Sequence, residues 1–467
     1  MNAATDRWLD RVERGGRPLY LALAEALESA IREGELQPGD QLPPQRAVAE
    51  RLGVDFTTIT RAYGAARARG LVEGAVGRGT FVRARAADDE AGLVDLSMNL
   101  PPPPQGVSLG ALMKATARTI LERTDPAILM AYHPGAGTLG QKTAGAAWLA
   151  PCLGEIAAER VLIGPGAQTA LTAILAAVTR PGDAVIVEPL TYPGLRAAAE
   201  QRGLRLIPCP VDAEGVVPAA LDRLCAAEGP AALYLVPTTQ NPTASTMGLE
   251  RRQTVARIAE TRGVWLIEDD PYGRLFDAPP PALCRFAPTR GLYVATVSKC
   301  LSPGLRTAFV VTPGGEIGDA VARALRATAL MASPLMTAMV GSWIREGQAE
   351  ALLEGVRREA RARRAIAAEI LPLAQGAAEG VHVWLDLPPG LDPGRLRLMA
   401  QQQGVSVVTA DAFAIGPVRR EGGLREGVRI SLGGPARQAV LSDALRRIAG
   451  VLDGARSRQG VGRGMVV

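Results

Sequence analysis

The N-terminal part of the chain has apolar positions spaced for three successive helices and then a pair of short strands. The apolar face of the first predicted helix consists of Leu19, Leu23, Leu27 and Ile31. A second helix is predicted after Pro43-Pro44, and a tight turn at Gly53 leads into a third helix that begins near 55–58. Segments 71–73 and 79–82 have the composition of strands, with glycines in the turn between them. This order predicts a helix-turn-helix followed by a wing.

From about residue 95 the pattern changes to short apolar runs that alternate with longer helical stretches, such as 169–178 and 249–261. Buried strands that alternate with helices predict an α/β fold, in which a mostly parallel sheet is covered by helices on both faces. Ligands of such sheets bind at the carboxyl ends of the strands. After residue 318 we expect long helices and a smaller C-terminal α+β segment. The predicted strands are 161–164, 184–188, 204–208, 232–237, 264–269 and 292–296.

These changes in pattern divide the chain into four parts. Residues 1–83 are predicted to form the winged helix-turn-helix domain, and the polar stretch 84–94 is a linker. Residues 95–452 form the α/β body. The Gly/Arg-rich segment 453–467 is expected to be a disordered tail.

The composition is that of an ordinary globular protein, with 467 residues, 47% hydrophobic and 21% charged. The five cysteines form no C-x-x-C pair, so we expect neither a zinc ribbon nor a disulfide framework, and a reducing cytoplasm fits best. Two histidines argue against His-based triads and most zinc sites. No apolar stretch predicts export or membrane insertion.

The charge of the N-terminal domain is unevenly distributed. Residues 1–45 contain five Arg and eight acids, a net charge of −3, whereas 46–83 contain seven Arg and three acids, a net charge of +4. A locally basic segment suits a surface that faces phosphates, although a solvated charged face is the alternative. A recognition helix would enter the major groove of double-stranded DNA, and the candidate contacts are Arg46, Thr57, Thr58, Thr60, Arg61 and, on the wing, Arg78.

Residues 18–82, including the G-x-G-T-F-V wing, resemble a GntR-type winged helix over their whole length. The resemblance implies DNA contacts from Arg46, Thr57, Thr58 and the wing around Arg78. Phe56 stands where that family often has an arginine. A helical interaction module that uses the same fold without DNA is the alternative.

Lysine is rare in this arginine-rich chain, and only Lys114, Lys142 and Lys299 occur. Lys299 follows the predicted strand 292–296, where its amine could form an imine that a guanidinium cannot form. The loop 164–168 joins a strand to a helix, and its free backbone N–H groups suit an anion. Asp269 ends an apolar strand and needs a cationic partner such as a pyridinium, while Asp270 should face the other way. Together these residue types suit pyridoxal phosphate.

Residues from about 95 to 450 resemble the fold-type I aminotransferases, on the basis of Asn241-Pro242, Asp269-x-x-Tyr272, Ser298-Lys299 and the run 303–306, Pro-Gly-Leu-Arg. The segment after Gly137 departs from that family, because Gly140-Gln141 replaces a leucine-arginine pair at the start of the next helix. The resemblance implies pyridoxal 5′-phosphate as the cofactor.

The resemblance also implies a role for each matching residue. Lys299 would form the internal aldimine, and Asp269 would pair with the pyridine nitrogen. Asn241 and Tyr272 would donate to the ring oxygen, and Tyr192 would stack on the ring. Arg429 would bind the carboxylate of an amino acid, and Tyr132 would reach the phosphate of the neighbouring subunit. The phosphate would be held by Ala167, Gln168, Thr296, Ser298 and Arg306.

A GntR-like head joined to an aminotransferase-like body resembles the MocR subfamily of regulators. The resemblance implies a homodimer, head to tail, that binds an operator and senses a small amino acid or amine by external aldimine formation. Effector specificity would lie in loops such as 98–104. Because every catalytic residue type is present, an active aminotransferase with an accessory head is the alternative, although we expect regulation rather than sustained transamination. A third hypothesis is a DNA-binding protein with a cofactor-free scaffold.

Overall fold

The computed structural model describes residues 7–12, 18–32, 35–36, 40–69, 71–75, 79–82, 93–133, 136–387, 391–416 and 426–462. The chain divides into two compact units, Met1–Gly92 and Leu93–Val467. The boundary lies within the predicted linker. Val94, which we assigned to the linker, belongs to the second unit, where it pairs with Val405 in a short parallel ladder.

The first unit contains helices α1 (Leu19–Arg32), α2 (Gln45–Leu52) and α3 (Phe56–Ala68), followed by the antiparallel strands β1 (Val72–Ala75) and β2 (Gly79–Val82). Gly53 ends α2 with a φ of 62°, a left-handed conformation that glycine adopts without strain. Asp55 then caps α3 by accepting a hydrogen bond from the backbone N–H of Thr57. The predicted helix-turn-helix and wing strands are therefore present.

The second unit contains the remaining elements in alternation. Its helices are α4 (Leu109–Arg123), α5 (Pro126–Leu129), α6 (Leu139–Leu153), α7 (Ala167–Val178), α8 (Pro193–Gln201), α9 (Pro218–Glu228), α10 (Leu249–Arg262), α11 (Gly315–Ala329), α12 (Pro334–Arg345), α13 (Gln348–Ile370), α14 (Pro393–Gln402) and α15 (Gln438–Gly462). Its strands are β3 (Val94–Asp95), β4 (Val161–Gly164), β5 (Ala184–Val187), β6 (Arg205–Pro208), β7 (Val211–Asp212), β8 (Gly215–Val216), β9 (Ala232–Leu235), β10 (Trp265–Asp269), β11 (Gly291–Thr296), β12 (Ala308–Val311), β13 (His382–Asp386), β14 (Val405–Ser406), β15 (Val408–Thr409) and β16 (Gly427–Ser431).

The large sheet has the strand order β4-β12-β11-β10-β9-β5-β6. Neighbouring strands are parallel except at β12, which is antiparallel to both β11 and β4. The six predicted strands are present, and the mostly parallel α/β fold is confirmed. Because β9, β10 and β11 are parallel neighbours, their carboxyl ends lie at one edge of the sheet and place the following loops side by side.

The structure differs from the sequence prediction in three strands of this sheet. We did not predict β12, whose apolar run is only four residues long and follows directly on the turn at 303–306. Strand β6 is a partly exposed edge strand rather than a buried one, and its last residue, Pro208, is tolerated there because an edge needs fewer N–H donors. Strand β9 ends at Leu235, so Asn241 lies in the loop beyond it and not at the strand end.

The C-terminal segment forms the predicted smaller α+β part. Strands β13, β16 and β15 make an antiparallel sheet, and α14 and α15 pack beside a core that includes Leu396, Val428 and Leu445. Helix α15 continues past Leu452 to Gly462, through 453–462, where we expected a disordered tail. No proline interrupts this stretch, so the helical backbone can continue. In the part of the chain that the structure describes, no helix is long and apolar enough to span a membrane.

Candidate cofactor pocket and nucleic-acid interface

A cavity of about 560 Å³ lies beyond the carboxyl ends of β9, β10 and β11. Met98, Asn99 and Leu100, from the loop that we expected to set specificity, form part of its wall. Apart from Tyr132, every residue predicted to bind cofactor or effector also lines this cavity: Ala167, Gln168, Tyr192, Asn241, Asp269, Tyr272, Thr296, Ser298, Lys299, Arg306 and Arg429. The folded chain therefore brings together residues that are up to 262 positions apart (429 − 167) in the sequence.

Lys299 lies in the turn that follows β11, and its amine donates to the backbone carbonyl of Asn99. Burial lowers the pKa of this amine to about 8, with a further lowering by the nearby Arg429, while Asp269 acts in the opposite direction. A lysine of this pKa carries a larger neutral fraction near pH 7 than an exposed lysine does. The neutral amine is the form that attacks an aldehyde.

Asp269 ends β10 with its carboxylate buried beneath the cavity. The Tyr234 hydroxyl donates to its Oδ2 at 2.7 Å, whereas Oδ1 has no hydrogen-bond partner within the described residues. Burial raises the pKa of Asp269 to about 7, although the Tyr234 hydrogen bond acts to lower it. A buried carboxylate with one unpaired oxygen is a site for a cationic donor.

Asp270 faces away from the cavity, as the alternation along a strand requires. Its Oδ2 accepts a 2.8 Å hydrogen bond from Tyr293, and its Oδ1 accepts from the backbone N–H of Gly273 at 2.7 Å. Both oxygens are therefore satisfied by the protein. Of the two neighbouring carboxylates, only Asp269 is open to a ligand.

The amino terminus of α7 forms one side of the cavity. Gly166 caps the helix without a side-chain hydrogen bond, so the first backbone N–H groups remain available to an anion. The guanidinium of Arg306 packs so closely over Gly166 that a Cβ atom there would lie 2.4 Å from its Nη2. On the adjacent turn the hydroxyls of Thr296 and Ser298 are 2.9 Å apart. Helix terminus, guanidinium and hydroxyls together suit a phosphate.

Arg429 lies on β16 at the opposite side of the cavity and is largely buried. Its Nη1 donates to Oδ1 of Asn241 at 2.7 Å, Nη2 donates to the carbonyl of Ser97, and the guanidinium lies 5.0 Å from the ring centre of Phe413. Its Nε is buried and has no partner among the residues that the structure describes. Asn241 thus accepts through its oxygen, which leaves its amide N–H groups to face the cavity.

The sequence analysis missed Tyr234 and His382, and it included Asn99 only as part of the loop 98–104. Tyr234 lies inside the apolar strand β9, where its hydroxyl gives no periodicity signal. The Asn99 amide donates to the Tyr272 hydroxyl at 2.7 Å and contacts Nδ1 of His382 at 3.0 Å. The only available signal for His382 was its rarity as one of two histidines.

Tyr132 lies outside the cavity of its own chain and is 79% exposed. Exposed apolar side chains surround it in the sequence, namely Ile128, Met130 and Leu139. The nearby departure at Gly140-Gln141 does not prevent the local helix. Gln141 completes a capping box with Thr138 at the start of α6, which explains how the helix begins without the usual arginine.

The candidate DNA contacts lie on the surface of α2 and α3. Arg46, Thr57, Thr60 and Arg61 are exposed, and Thr58 is partly exposed. Several already have intramolecular partners. The Thr57 hydroxyl donates to Asp55, the Thr60 hydroxyl donates to Gln45 at 2.9 Å, and the Arg61 guanidinium lies 4.5 Å from the ring centre of Tyr20. Arg78 lies outside the described residues.

The atoms that line the cavity meet the requirements of pyridoxal phosphate. The unpaired Oδ1 of Asp269 matches a pyridinium N–H, the α7 terminus with Arg306 matches the phosphate, and the Lys299 amine is close enough to Asp269 to influence its pKa. Asn241 and Tyr272 line the same cavity and carry N–H and O–H groups that could donate to a ring oxygen. The residues present therefore fit this cofactor.

Comparisons with known proteins agree with both units of the chain. Residues 91–448 match the family of class I and II aminotransferases, and residues 19–82 match the bacterial regulatory proteins of the gntR family. Among curated proteins, the chain is 30% identical over 457 residues to the HTH-type transcriptional regulator YdeF of Bacillus subtilis, covering 96% of this chain and 97% of YdeF.

Two further relatives extend the comparison. The probable rhizopine catabolism regulatory protein MocR of Rhizobium meliloti is 29% identical over 377 residues, which cover 73% of this chain and 74% of MocR. The crystal structure of LysN, the α-aminoadipate aminotransferase of Thermus thermophilus, has a TM-score of 0.70 and 26% identity, with coverage of 85% of this chain and 99% of LysN. That crystal structure contains N-(5′-phosphopyridoxyl)-L-leucine.

Proposed function

The chain belongs to the class I and II aminotransferase family and, with its gntR-type head, to the MocR-type transcription regulators that use pyridoxal phosphate; from this premise we propose that it senses an amino acid or amine in the cavity beside the cofactor. Effector binding changes how the heads of a homodimer engage operator DNA in the cytoplasm. The observation that carries the proposal is the pairing, in one cavity, of the Lys299 amine with the unpaired, buried Oδ1 of Asp269.

Bound pyridoxal phosphate supplies an aldehyde that condenses reversibly with amines. Lys299 provides the resident amine, and its lowered pKa favours the nucleophilic form. Asp269 would keep a proton on the pyridine nitrogen through its unpaired Oδ1. The α7 terminus and Arg306 would hold the phosphate, and so would keep the ring in place when an effector amine took the place of Lys299.

Arg429 supports an amino acid as the effector. Its guanidinium is held by Asn241, Ser97 and Phe413, which fixes its direction before a ligand arrives. A carboxylate that reached this guanidinium would satisfy the unpaired Nε through a charge-assisted hydrogen bond. A simple amine lacks that contact and should bind less tightly.

Release of the Lys299 amine is the event through which effector binding could change DNA binding by the N-terminal domain. The Lys299 amine donates to the carbonyl of Asn99, in the loop that directly follows β3. An effector amine that took the place of Lys299 would free the Lys299 amine. The effector and this amine would then compete for contacts with the loop that contains Asn99. Because the two binding events are linked, the factor by which the effector changes the affinity for DNA must equal the factor by which DNA changes the affinity for the effector.

The exposure of Tyr132 supports a homodimer. A tyrosine that is 79% exposed beside exposed Ile128, Met130 and Leu139 is unusual on a surface that meets only water. We infer that this surface packs on a second copy of the chain. Tyr132 would then reach the phosphate site of that copy, at the amino terminus of its α7. Head-to-tail pairing would place two heads on two operator half-sites.

The first test compares Lys299→Ala with wild type. We expect the variant to lose the visible absorbance of the linked cofactor and any effect of amino acids on operator affinity, measured by fluorescence anisotropy. Its far-UV spectrum and its DNA affinity without effector should be unchanged. Lys299→Arg, which keeps the charge but forms no imine, should behave likewise, and Lys114→Ala is the matched lysine control.

Three outcomes would count against the proposal. Retention of the cofactor absorbance in Lys299→Ala would refute the assignment of the lysine. Rapid multiple-turnover production of keto acids from many amino donors, with no protected DNA near any gene, would favour the active aminotransferase. Wild-type protein that stays colourless after added cofactor would favour the cofactor-free scaffold.

The dimer is tested by subunit complementation. Lys299→Ala and Tyr132→Phe chains are mixed, unfolded and refolded together. In a hybrid dimer, the Tyr132→Phe chain keeps its lysine and receives the intact tyrosine of its partner, so one complete site forms. In the hybrid dimer, separated from the two parental dimers, we expect wild-type cofactor affinity at one of the two sites. Affinity no better than that of the Tyr132→Phe protein alone would exclude a shared site.

A further inference from the structure

A chain of buried polar side chains runs from His382 through Asn99 to the Tyr272 hydroxyl at the cavity wall. His382 begins β13, Asn99 lies in the loop after β3, and Tyr272 follows β10, so three distant segments meet here. All three are buried, with His382 completely inaccessible and Asn99 6% exposed. Buried polar groups need defined hydrogen-bond partners, so the direction of each bond can be worked out from its neighbours.

The direction of the first bond follows from Gln240. Nε2 of His382 lies 3.1 Å from the backbone carbonyl of Gln240, which can only accept. Nε2 therefore carries the proton. Burial, together with the charge of Arg429, lowers the pKa of His382 to about 3, so the ring is neutral near pH 7 and Nδ1 carries no proton.

The direction of the second bond follows from the first. Because Nδ1 of His382 can only accept, it is Nδ2 of Asn99 that donates to it at 3.0 Å. This orientation of the amide leaves its second N–H to donate to the Tyr272 hydroxyl at 2.7 Å and turns Oδ1 towards the Ser431 hydroxyl, 3.4 Å away. The tautomer of the histidine thus determines which way round the Asn99 amide lies.

The Tyr272 hydroxyl therefore receives a hydrogen bond from Asn99 and must direct its own proton elsewhere. Within the described chain it donates to no protein group, and it lines the cavity. The proton can only point into the cavity. The charged groups that share this space are Asp269, Lys299, Arg306 and Arg429.

We propose that Asn99 and His382 are positioning residues that fix the Tyr272 hydroxyl as a donor towards the ring oxygen of the bound cofactor. This inference rests on the proposed cofactor site. Without His382 the Asn99 amide is free to turn over and present its oxygen to Tyr272, which would draw the tyrosine proton away from the cavity. The ring oxygen would then lose a hydrogen-bond donor, the Tyr272 hydroxyl, which competes with the protonated imine nitrogen for that oxygen.

The test is a pH titration of the visible absorbance of cofactor linked to Lys299, measured on the full-length protein. Loss of a donor to the ring oxygen leaves that oxygen more basic and so holds the proton on the nitrogen to higher pH. We expect the midpoint to rise by roughly one pH unit in His382→Leu, which corresponds to one hydrogen bond, and by less in Asn99→Ala, where Tyr272 loses its fixed donor but meets no competing acceptor. His382→Asn should restore the wild-type midpoint, because its carbonyl can accept near the position of Nδ1.

Two further variants separate positioning from a general structural effect. Tyr272→Phe should show the full shift, and adding His382→Leu to Tyr272→Phe should cause no further change, because the histidine acts only through the tyrosine. Ser431→Ala removes only the long 3.4 Å donation to Oδ1 of Asn99 and leaves both Nδ2 hydrogen bonds in place, so it should keep the wild-type midpoint.

An unchanged midpoint in both His382→Leu and Asn99→Ala would overturn the proposal, and so would an additive shift in the double variant. If His382→Leu does not fold, adding Asn99→Ala to Tyr272→Phe decides the question in the same way, because it too should cause no further shift. Failure of the proposed function has a different signature, since that protein would show no cofactor absorbance at all.

Discussion

The Tyr234 hydroxyl donates a 2.7 Å hydrogen bond to Oδ2 of Asp269 and leaves Oδ1 facing the cofactor cavity. Both residues come from neighbouring parallel strands and both are buried. The bond supports the charged form of the carboxylate against the cost of burial. Tyr234 thereby orients the aspartate and keeps part of its population ionised near pH 7.

Replacement of Tyr234 by Phe should therefore weaken cofactor binding. Without the hydroxyl the pKa of Asp269 rises further, and the neutral acid attracts a pyridinium less strongly. We expect a loss of roughly tenfold in affinity, at the low end for a hydrogen bond to a charged group. The measurement is a fluorescence titration of cofactor-free protein with pyridoxal phosphate.

The neighbouring strand offers a matched control. Tyr293 donates to Asp270 at 2.8 Å in the same way, but Asp270 faces away from the cavity. Tyr293→Phe should cost about 1–3 kcal/mol of stability and leave the cofactor affinity within roughly twofold. Equal losses of affinity in the two variants would show that Tyr234 has no specific role.

Glu188 predicts a pH dependence of stability. It is buried just beyond β5, where it accepts from the backbone N–H of Val236 at 3.2 Å, and burial raises its pKa to about 8 from 4.5. Between these two values the folded chain holds a proton that the unfolded chain has released. The free energy of unfolding must therefore fall as the pH rises through this window.

Glu188→Gln removes the ionisation and should become steadily more stable than wild type between pH 4.5 and 8, by at most about 1.4 kcal/mol per pH unit. Urea midpoints of the two proteins measured across that range give the difference. Glu346→Gln is the control, because the Ser342 hydroxyl lowers the pKa of the exposed Glu346, so above its ordinary pKa of 4.5 the folded and unfolded chains are both ionised there and the difference from wild type should not vary with pH. A difference for Glu188→Gln that did not vary with pH would contradict this account.

Much of the site followed from residues adjacent to predicted strands. Lys299 and Asp269 each lie at or just beyond the end of an apolar run, so their position at the ligand edge could be predicted from local pattern alone. Asn99 could not be found in this way, because it reaches the same cavity from a loop 200 residues before Lys299. Such a contact depends on how the C-terminal segment docks, which no local periodicity encodes.

The strands of the fold divide in the same way, into those that local pattern predicts and those that depend on tertiary contacts. The strands β9, β10 and β11 are apolar throughout and were predicted, with errors at their ends. Strand β12 was missed because four apolar residues between turns have no periodicity that distinguishes strand from loop. Its antiparallel pairing between β11 and β4 is a property of the tertiary structure.

Arg252 and Glu268 form an ion pair at 3.5 Å in which both side chains are completely buried. Arg252 also donates to the carbonyls of Met247 and Pro237 at 2.8 Å each. Arg252→Met would leave the carboxylate of Glu268 buried without a counter-charge, and we expect a loss of about 3–5 kcal/mol in the free energy of unfolding.

The adjacent Arg251 is the control for that variant. It pairs with Asp212 at 2.8 Å, where the aspartate side chain is 44% exposed. Because solvent screens such a pair, Arg251→Met should cost at most about 1 kcal/mol. Chemical denaturation of both variants measures the difference, and similar losses would mean that burial does not set the strength of these pairs.

The last prediction concerns Phe56, the first residue of α3 and 46% exposed. The hydroxyl protons of Thr57 and Thr60 already have acceptors, Asp55 and Gln45, so the start of the recognition helix presents an apolar ring where the related family often has an arginine. In the major groove an apolar side chain recognises the methyl group of thymine, whereas arginine recognises guanine. We therefore expect duplexes selected from a random pool by the wild-type protein to contain a fixed thymine in each half-site.

Replacing that thymine by deoxyuridine removes the methyl group and should weaken binding roughly fourfold. Phe56→Ala should bind the two duplexes equally, and Phe56→Arg should select guanine at that position. Arg46→Ala provides the contrast, because loss of a phosphate contact weakens binding to all sequences and reduces the slope of log affinity against log salt by about 0.9. Equal affinity of the wild-type protein for thymine and deoxyuridine would show that Phe56 does not read this base, while leaving the role of Arg46 intact.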